Sequence, residues 1–188
     1  MVLIVAPDPV TNPNSRLLAD KEAIHSDLER IATEIVRDVS QPDDIIVVGI
    51  HGKGVWIAEY LKKILADLWK TTILSGTIDV GMHRDDLNEH PLPNLQPTNL
   101  PATITGKTVV LVDDVIHSGR TARAALDSLH DFGRPDRVLL SALIDRGDRC
   151  LPIAPNYVGR SVDIQQGERV QVTTLENLEG FEVHIKAA

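Results

Sequence analysis

Two adjacent carboxylates, Asp113 and Asp114, follow directly on an apolar run in the stretch VVLVDDVIHSGRTARAAL, residues 109–126. Small and hydroxylated residues come next: Ser118, Gly119 and Thr121, with Arg120 among them. The apolar run reads as a buried strand and the alanine-rich segment as a helix. In open α/β sheets ligands bind beyond the carboxyl ends of the strands, where these acids are expected to stand. At a helix start the backbone N–H groups lack intrahelical partners and the dipole favours an anion. Gly119 lets a phosphate approach the backbone closely, and Ser118 and Thr121 add hydroxyl donors. One short loop therefore offers a monophosphate cradle beside two carboxylates. Those carboxylates can hold ribose hydroxyls, directly or through Mg2+, which prefers oxygen ligands. The plain structural alternative makes Asp114 or Ser118 a helix N-cap. Two consecutive acids after a buried strand fit it poorly, because carboxylates there cost stability unless they bind something.

Three other segments carry polar chemistry near strand ends. GIHGKG, residues 49–54, follows an apolar run and suits a backbone-rich anion loop with Lys53 as counter-charge. A bare strand–helix turn is the alternative there. MHRDDLNEHPL, residues 82–92, sets Arg84 beside Asp85 and Asp86. That composition suits a lid closing over a charged substrate and excluding water; a solvated charged loop would use Asp85, Asp86 and Glu89 equally well. LIDRGDRCLP, residues 143–152, follows another strand. It reads either as a ligand loop or as a left-handed turn at Gly147 flanked by a surface Asp–Arg pair. His25, His83, His90, His130 and His184 show no metal spacing, and the single cysteine, Cys150, forms neither a disulfide nor a zinc site.

The elements that must position these residues follow from periodicity. Residues 1–18 hold three prolines and read as a loosely held arm. Helical spacing runs from Leu17 to Val39 through Ala23, Ile24, Leu28, Ile31, Ala32, Ile35 and Val36. IIVVGI, 45–50, is a strand buried on both faces. HGKG is a tight loop, and residues 55–69 form an amphipathic helix. TTILSGTIDVGM gives one or two strands. Residues 83–106, with four prolines, form a long loop of the kind that serves as a lid. A strand at 108–112, a helix at 121–132, a strand at 137–145 and shorter strands near 170–174 and 182–185 complete the chain. Strand–helix alternation predicts an open parallel α/β sheet.

Bulk properties bound the function. The 188 residues suit one domain, and with 3% aromatic content the core is aliphatic. A net charge of -8 argues against nucleic-acid binding by bulk charge. No run approaches the roughly 20 apolar residues of a membrane span. A cytoplasmic enzyme or binding protein is expected.

VVLVDDVIHSGRT resembles the phosphoribosyl-pyrophosphate (PRPP) signature of type I phosphoribosyltransferases: an apolar strand, paired acids, then a Ser-Gly-X-Thr phosphate loop. With HRDDL and LIDRGDRCLPIAPNYVGR it is similar, more narrowly, to the PyrR family, pyrimidine-operon attenuators that also carry uracil phosphoribosyltransferase activity. The resemblance spans about residues 20–186. It implies the type I phosphoribosyltransferase fold: an open, mostly parallel sheet flanked by helices, with a small hood and a flexible lid loop. Residues 1–18 would be an N-terminal arm and 19–188 a single domain. The implied reaction is uracil + PRPP giving UMP and pyrophosphate, with Mg2+.

By the same resemblance, Asp113, Asp114 and Arg84 act in catalysis. Val115, His117, Ser118, Gly119, Arg120 and Thr121, with the His51, Gly52, Lys53, Gly54 loop, bind PRPP. Ile144, Asp145, Arg146 and Gly147 cup the base through backbone groups. Family members usually read basic-Thr-Arg-Gly where this chain has HGKG, and often Tyr at His117. The implied alternative is a UMP-sensing attenuator that binds an mRNA stem-loop, with weak or lost turnover. Arg149 and Arg160 are its basic matches, while the first helix carries six acids. Pyrophosphate and nucleotide as ligands, and a homo-oligomer of two or more copies, are further implications.

Overall fold

The computed structural model describes residues 15–39, 41–81, 96–101, 103–175 and 180–187. The strand β1 (Ser15–Ala19) precedes the helix α1 (Lys21–Asp38). Then follow β2 (Ile45–Ile50), α2 (Lys53–Trp69), β3 (Leu74–Ile78), β4 (Thr108–Ile116), α3 (Arg120–Leu129), β5 (Arg137–Asp145), β6 (Tyr157–Ser161), β7 (Glu168–Thr174) and β8 (Phe181–Ala187). A five-stranded sheet runs in the order β3-β2-β4-β5-β6, with all its neighbours parallel. A three-stranded antiparallel sheet, β1-β8-β7, forms the hood.

Strand β2 is buried at every residue, as its unbroken apolar run requires of a central parallel strand. Its side chains alternate between two cores. Ile45 and Val47 join α1 and α2 on one face, and Ile46, Val48 and Ile50 join α3 on the other. Helix α1 buries Ile24, Leu28, Ile31, Ala32 and Ile35, a single stripe at helical spacing. Each such aliphatic side chain stabilises by about 1.5–3 kcal/mol on full burial. The hood closes over the same core through Val172, Phe181 and Val183, with Phe181 set edge-on to Tyr60 at 5.9 Å.

Five expectations need correction. The arm does not extend to residue 18: Ser15–Ala19 pairs with β8, 169 residues away for Ser15 and His184, so no local pattern announces it. The first helix starts at Lys21, because Asp20 caps it by accepting from Ala23 N at 3.0 Å. Strand β4 continues past residue 112 to Ile116, since β5 goes on pairing with it through Asp145. Helix α3 spans Arg120–Leu129, shorter at its end than 132, and Lys53 and Gly54 belong to the first turn of α2 rather than to a loop. Strand β6 has no counterpart in the periodicity of the sequence.

Candidate active site

The sheet order reverses between β2 and β4: β2 is followed outward by β3 on one side, and β4 by β5 and β6 on the other. This is a topological switch point, where open α/β sheets bind ligands. The last β2–β4 pair joins Gly49 and Val112. From Asp113 onward, β4 keeps β5 on one side and loses β2 on the other. The two acids therefore stand inside an extended strand, at the point where its neighbour turns away into α2.

Asp113 is buried, and its Oδ1 accepts the Asp114 amide at 2.9 Å. Asp114 and Val115 are half-buried. Two helices begin beside them, and neither is capped by a side chain. Gly52 caps α2 at φ 119° and Gly119 caps α3 at φ 88°, conformations that favour glycine. Neither Asp114 nor Ser118 is the N-cap of α3. Ser118 Oγ lies only within weak reach of Arg120 N, at 3.4 Å. The contrast with the Asp-capped α1 is chemical: neither helix start at the switch point carries a built-in carboxylate cap for its first amides.

Gly54 joins the two halves. A Cβ there would stand 2.6 Å from Val112 O and 3.3 Å from Asp113 Cα, so the first turn of α2 packs directly on the strand that bears the acids. His51 donates from Nε2 to Pro97 O at 3.3 Å, and its amide donates to Ile78 O at 3.0 Å. Lys53 is the first residue of α2. Asp79, unremarked in the sequence, holds the stems of the segment that contains Arg84. Its Oδ1 accepts from Gly81 N at 2.5 Å and its Oδ2 from Gln96 N at 2.6 Å. An acid directly after a strand was the available signal, the same one that marks Asp113. Arg84 itself lies outside the described residues.

The loop after β5 lies against the loop after β4. Arg146 N donates to Ile116 O at 3.1 Å; Cys150 N and Leu151 N donate to Ser118 O at 3.0 and 3.1 Å. Asp145 Oδ1 accepts from Gly147 N at 2.9 Å, and Gly147 and Asp148 take φ values of 70° and 52°. The left-handed turn of the alternative reading is present in this loop, while its Asp–Arg pair is Asp145 with Arg149 at 2.7 Å, turned inward rather than lying on the surface. Asp145, Gly147, Ser161, Val162 and Asp163 line an open cleft beside it. The last three stand at the end of β6, and their part was invisible without that strand. Ile144 is buried at the end of β5. Arg146 Nε is buried without a hydrogen-bond partner among the described residues.

His117 is exposed at the edge of this arrangement, yet its pKa is lowered below 6.5. Partial desolvation of the ring is the leading cause, Arg146 and Arg149 add to it, and Asp148 opposes them. Arg160 does not join the site. Its Nε and Nη2 both donate to Asp27 Oδ2 of α1, at 3.2 and 3.0 Å.

The comparisons agree with this geometry. The family model "phosphoribosyl transferase domain" matches residues 16–176. A protein of Chloroflexus aurantiacus named bifunctional protein PyrR is 45% identical over 164 residues, covering 87% of this chain and 90% of that one. A protein of the same name from Halalkalibacterium halodurans is 40% identical, covering 89% and 94%. Among solved structures, the hypoxanthine phosphoribosyltransferase of Trypanosoma cruzi superposes with a TM-score of 0.68 over 92% of this chain and 97% of that one. A Bacillus anthracis hypoxanthine-guanine phosphoribosyltransferase gives 0.66 over 90% and 96%. These two are 16% and 19% identical, so they speak for the fold. With the paired acids at the switch point and two glycine-started helices around them, this chain belongs to the phosphoribosyltransferases, in the PyrR family.

Proposed function

We propose that this protein transfers the phosphoribosyl group of PRPP to uracil, giving UMP and pyrophosphate. One observation carries the reading: two helix starts without side-chain caps flank a pair of carboxylates, and the loop after β5, which is bonded to the loop beyond the acids, lines an open cleft. PRPP is a molecule with two phosphate ends and a ribose between them, and this arrangement matches that order.

The steps follow from the residues. The amides of Gly119, Arg120 and Thr121 take the 5′-phosphate and spend its binding on alignment of the sugar. Asp113 and Asp114 hold the ribose hydroxyls. As the C1–O bond breaks, its electron pair leaves with pyrophosphate and positive charge grows on the ribose, which the two carboxylates favour. Amides of Gly52–Gly54, with His51 and Lys53, receive the pyrophosphate. Uracil enters from the side of Asp145–Gly147 and bonds through N1, and the proton that N1 loses passes to the departing pyrophosphate or to water. Besides the reacting N1, uracil presents two carbonyl acceptors and the N3–H donor; the loop supplies amides, and Arg146 Nε, without a partner among the described residues, is a further donor in it.

The donor set fits Mg2+ carried by the substrate. Asp113 and Asp114 offer hard oxygens of the kind Mg2+ prefers, and would be the residues to hold it. When bound, Mg2+ would neutralise charge on the pyrophosphate.

UMP formation from labelled uracil, PRPP and Mg2+ tests the reading. Asp114→Asn keeps the shape and removes the charge, and is expected to lower kcat by about 100-fold. Absence of turnover in the parent protein, with UMP still bound, would favour the sensor reading instead.

The name of the relatives carries the word bifunctional, which keeps an RNA-binding role as a second reading. Against it, Arg160 is paired with Asp27 and Arg149 is directed into the protein.

A further inference from the structure

Arg149 has no place in the reaction described so far. Its side chain is 22% exposed, and its contacts are internal. Nε donates to Ile153 O at 2.9 Å. Nη1 donates to His117 O at 2.8 Å and to Gly147 O at 3.1 Å, and Nη2 to Asp145 Oδ2 at 2.7 Å. His117 belongs to the phosphate loop, and Asp145 and Gly147 to the base loop. Ile153 lies in the segment that packs under Gly119, where a Cβ would stand 3.5 Å from the Cβ atoms of Leu151 and Ile153. One planar guanidinium thus ties together both subsites and the segment beneath them. The rigid fork of Arg can serve such divergent acceptors, whereas the single ammonium of Lys serves fewer.

The two ends of UMP are a fixed distance apart. A ligand that spans both subsites gains from their being held in register beforehand, while a ligand that fills only one does not. Resting on the phosphoribosyltransferase reading above, we propose that Arg149 is a positioning residue that couples the 5′-phosphate subsite to the base subsite. It touches no reacting atom, and it acts through the placement of His117 and Gly147.

Calorimetry and ligand-observed NMR on the full chain test this, with UMP, uridine and ribose 5-phosphate as probes. In Arg149→Gln, uridine and ribose 5-phosphate are expected to bind within about 3-fold of the parent, and UMP to bind about 10-fold more weakly, the size of an ordinary coupling between sites. Arg149→Lys is expected to fall between. An equal loss for all three probes would mean general loosening, and unchanged UMP binding would leave Arg149 to another ligand; either result overturns the coupling. If the Gln variant shows no melting transition, the Lys variant carries the same comparison. A parent protein that binds none of the probes would overturn the functional reading, and this proposal with it.

Discussion

Gly54 shows how narrow the tolerances of the crevice are. Its Cα faces Val112 O so closely that a methyl group would sit 2.6 Å from that oxygen, and backbone cannot step aside as a flexible side chain can. Gly54→Ala is expected to cost about 1–3 kcal/mol. It should also raise the KM for PRPP, since the strand it displaces carries Asp113; thermal melting and steady-state kinetics check the two effects. His117 has a different lesson. With its pKa lowered, the ring is neutral at pH 7, and the unfolded chain binds the proton better than the folded one. Stability is therefore present above the unfolded value of 6.5 and falls as pH drops through it and below. A phosphate dianion bound in the proposed subsite beside His117 would reverse the balance and draw a proton to the ring. UMP binding near pH 7, where its phosphate is already mostly dianionic, should take up protons, which calorimetry in buffers of different ionisation enthalpy measures; no uptake would remove His117 from the phosphate subsite.

Helix α1 and strand β6 meet through polar contacts that the apolar pattern does not show. Arg30 Nη2 donates to Val158 O and Gly159 O, Arg160 pairs with Asp27, and the Tyr157 hydroxyl donates to Asp38 Oδ2 at 3.2 Å. Burial, and then the charge and hydrogen bond of Asp38, raise the Tyr157 pKa to about 12. A raised folded value stabilises below the unfolded pKa of 10.0 and is lost as pH climbs towards about 12. Tyr157→Phe should cost about 1 kcal/mol at neutral pH and should flatten the alkaline part of the stability curve, which denaturant melts across that range would show. These same contacts explain why β6 escaped the sequence reading. NYVGRS has only two apolar residues, and its strand character comes from pairing with β5 and from cover by α1. With β6 unseen, Ser161, Val162 and Asp163 could not be placed at the cleft.

At the level of the whole molecule, charge bears on the RNA-binding reading. The net charge is -8, and α1 presents acids along its length. The two arginines that suggested RNA contact are both engaged with the protein's own oxygens. Affinity for a generic RNA hairpin at physiological salt is therefore expected to be weak, with a log K against log salt slope of about -2 or shallower; fluorescence anisotropy over a salt series measures it. A steep slope would show RNA phosphates held by basic residues other than Arg149 and Arg160. Among them no helix is long and apolar enough to cross a membrane.

The sequence by itself determined the strands β2, β4 and β5, the helices α2 and α3 that follow the first two of them, and the residues of the proposed phosphate loop. Those features are local: an unbroken aliphatic run must be buried on both faces, and Asp-Asp followed by Ser-Gly-X-Thr keeps its chemistry in a stretch of nine residues, 113–121. Tertiary structure alone decided what these local pieces meet. The pairing of β1 with β8 and the departure of β2 beside Asp113 depend on segments far apart in the chain. So do the stapling of Asp79 to Gln96 and the inward turn of Arg149. A charged side chain reads the same in sequence whether it faces solvent or four internal acceptors. Which of these holds is set by the desolvation of the group and by the oxygens that packing brings within reach.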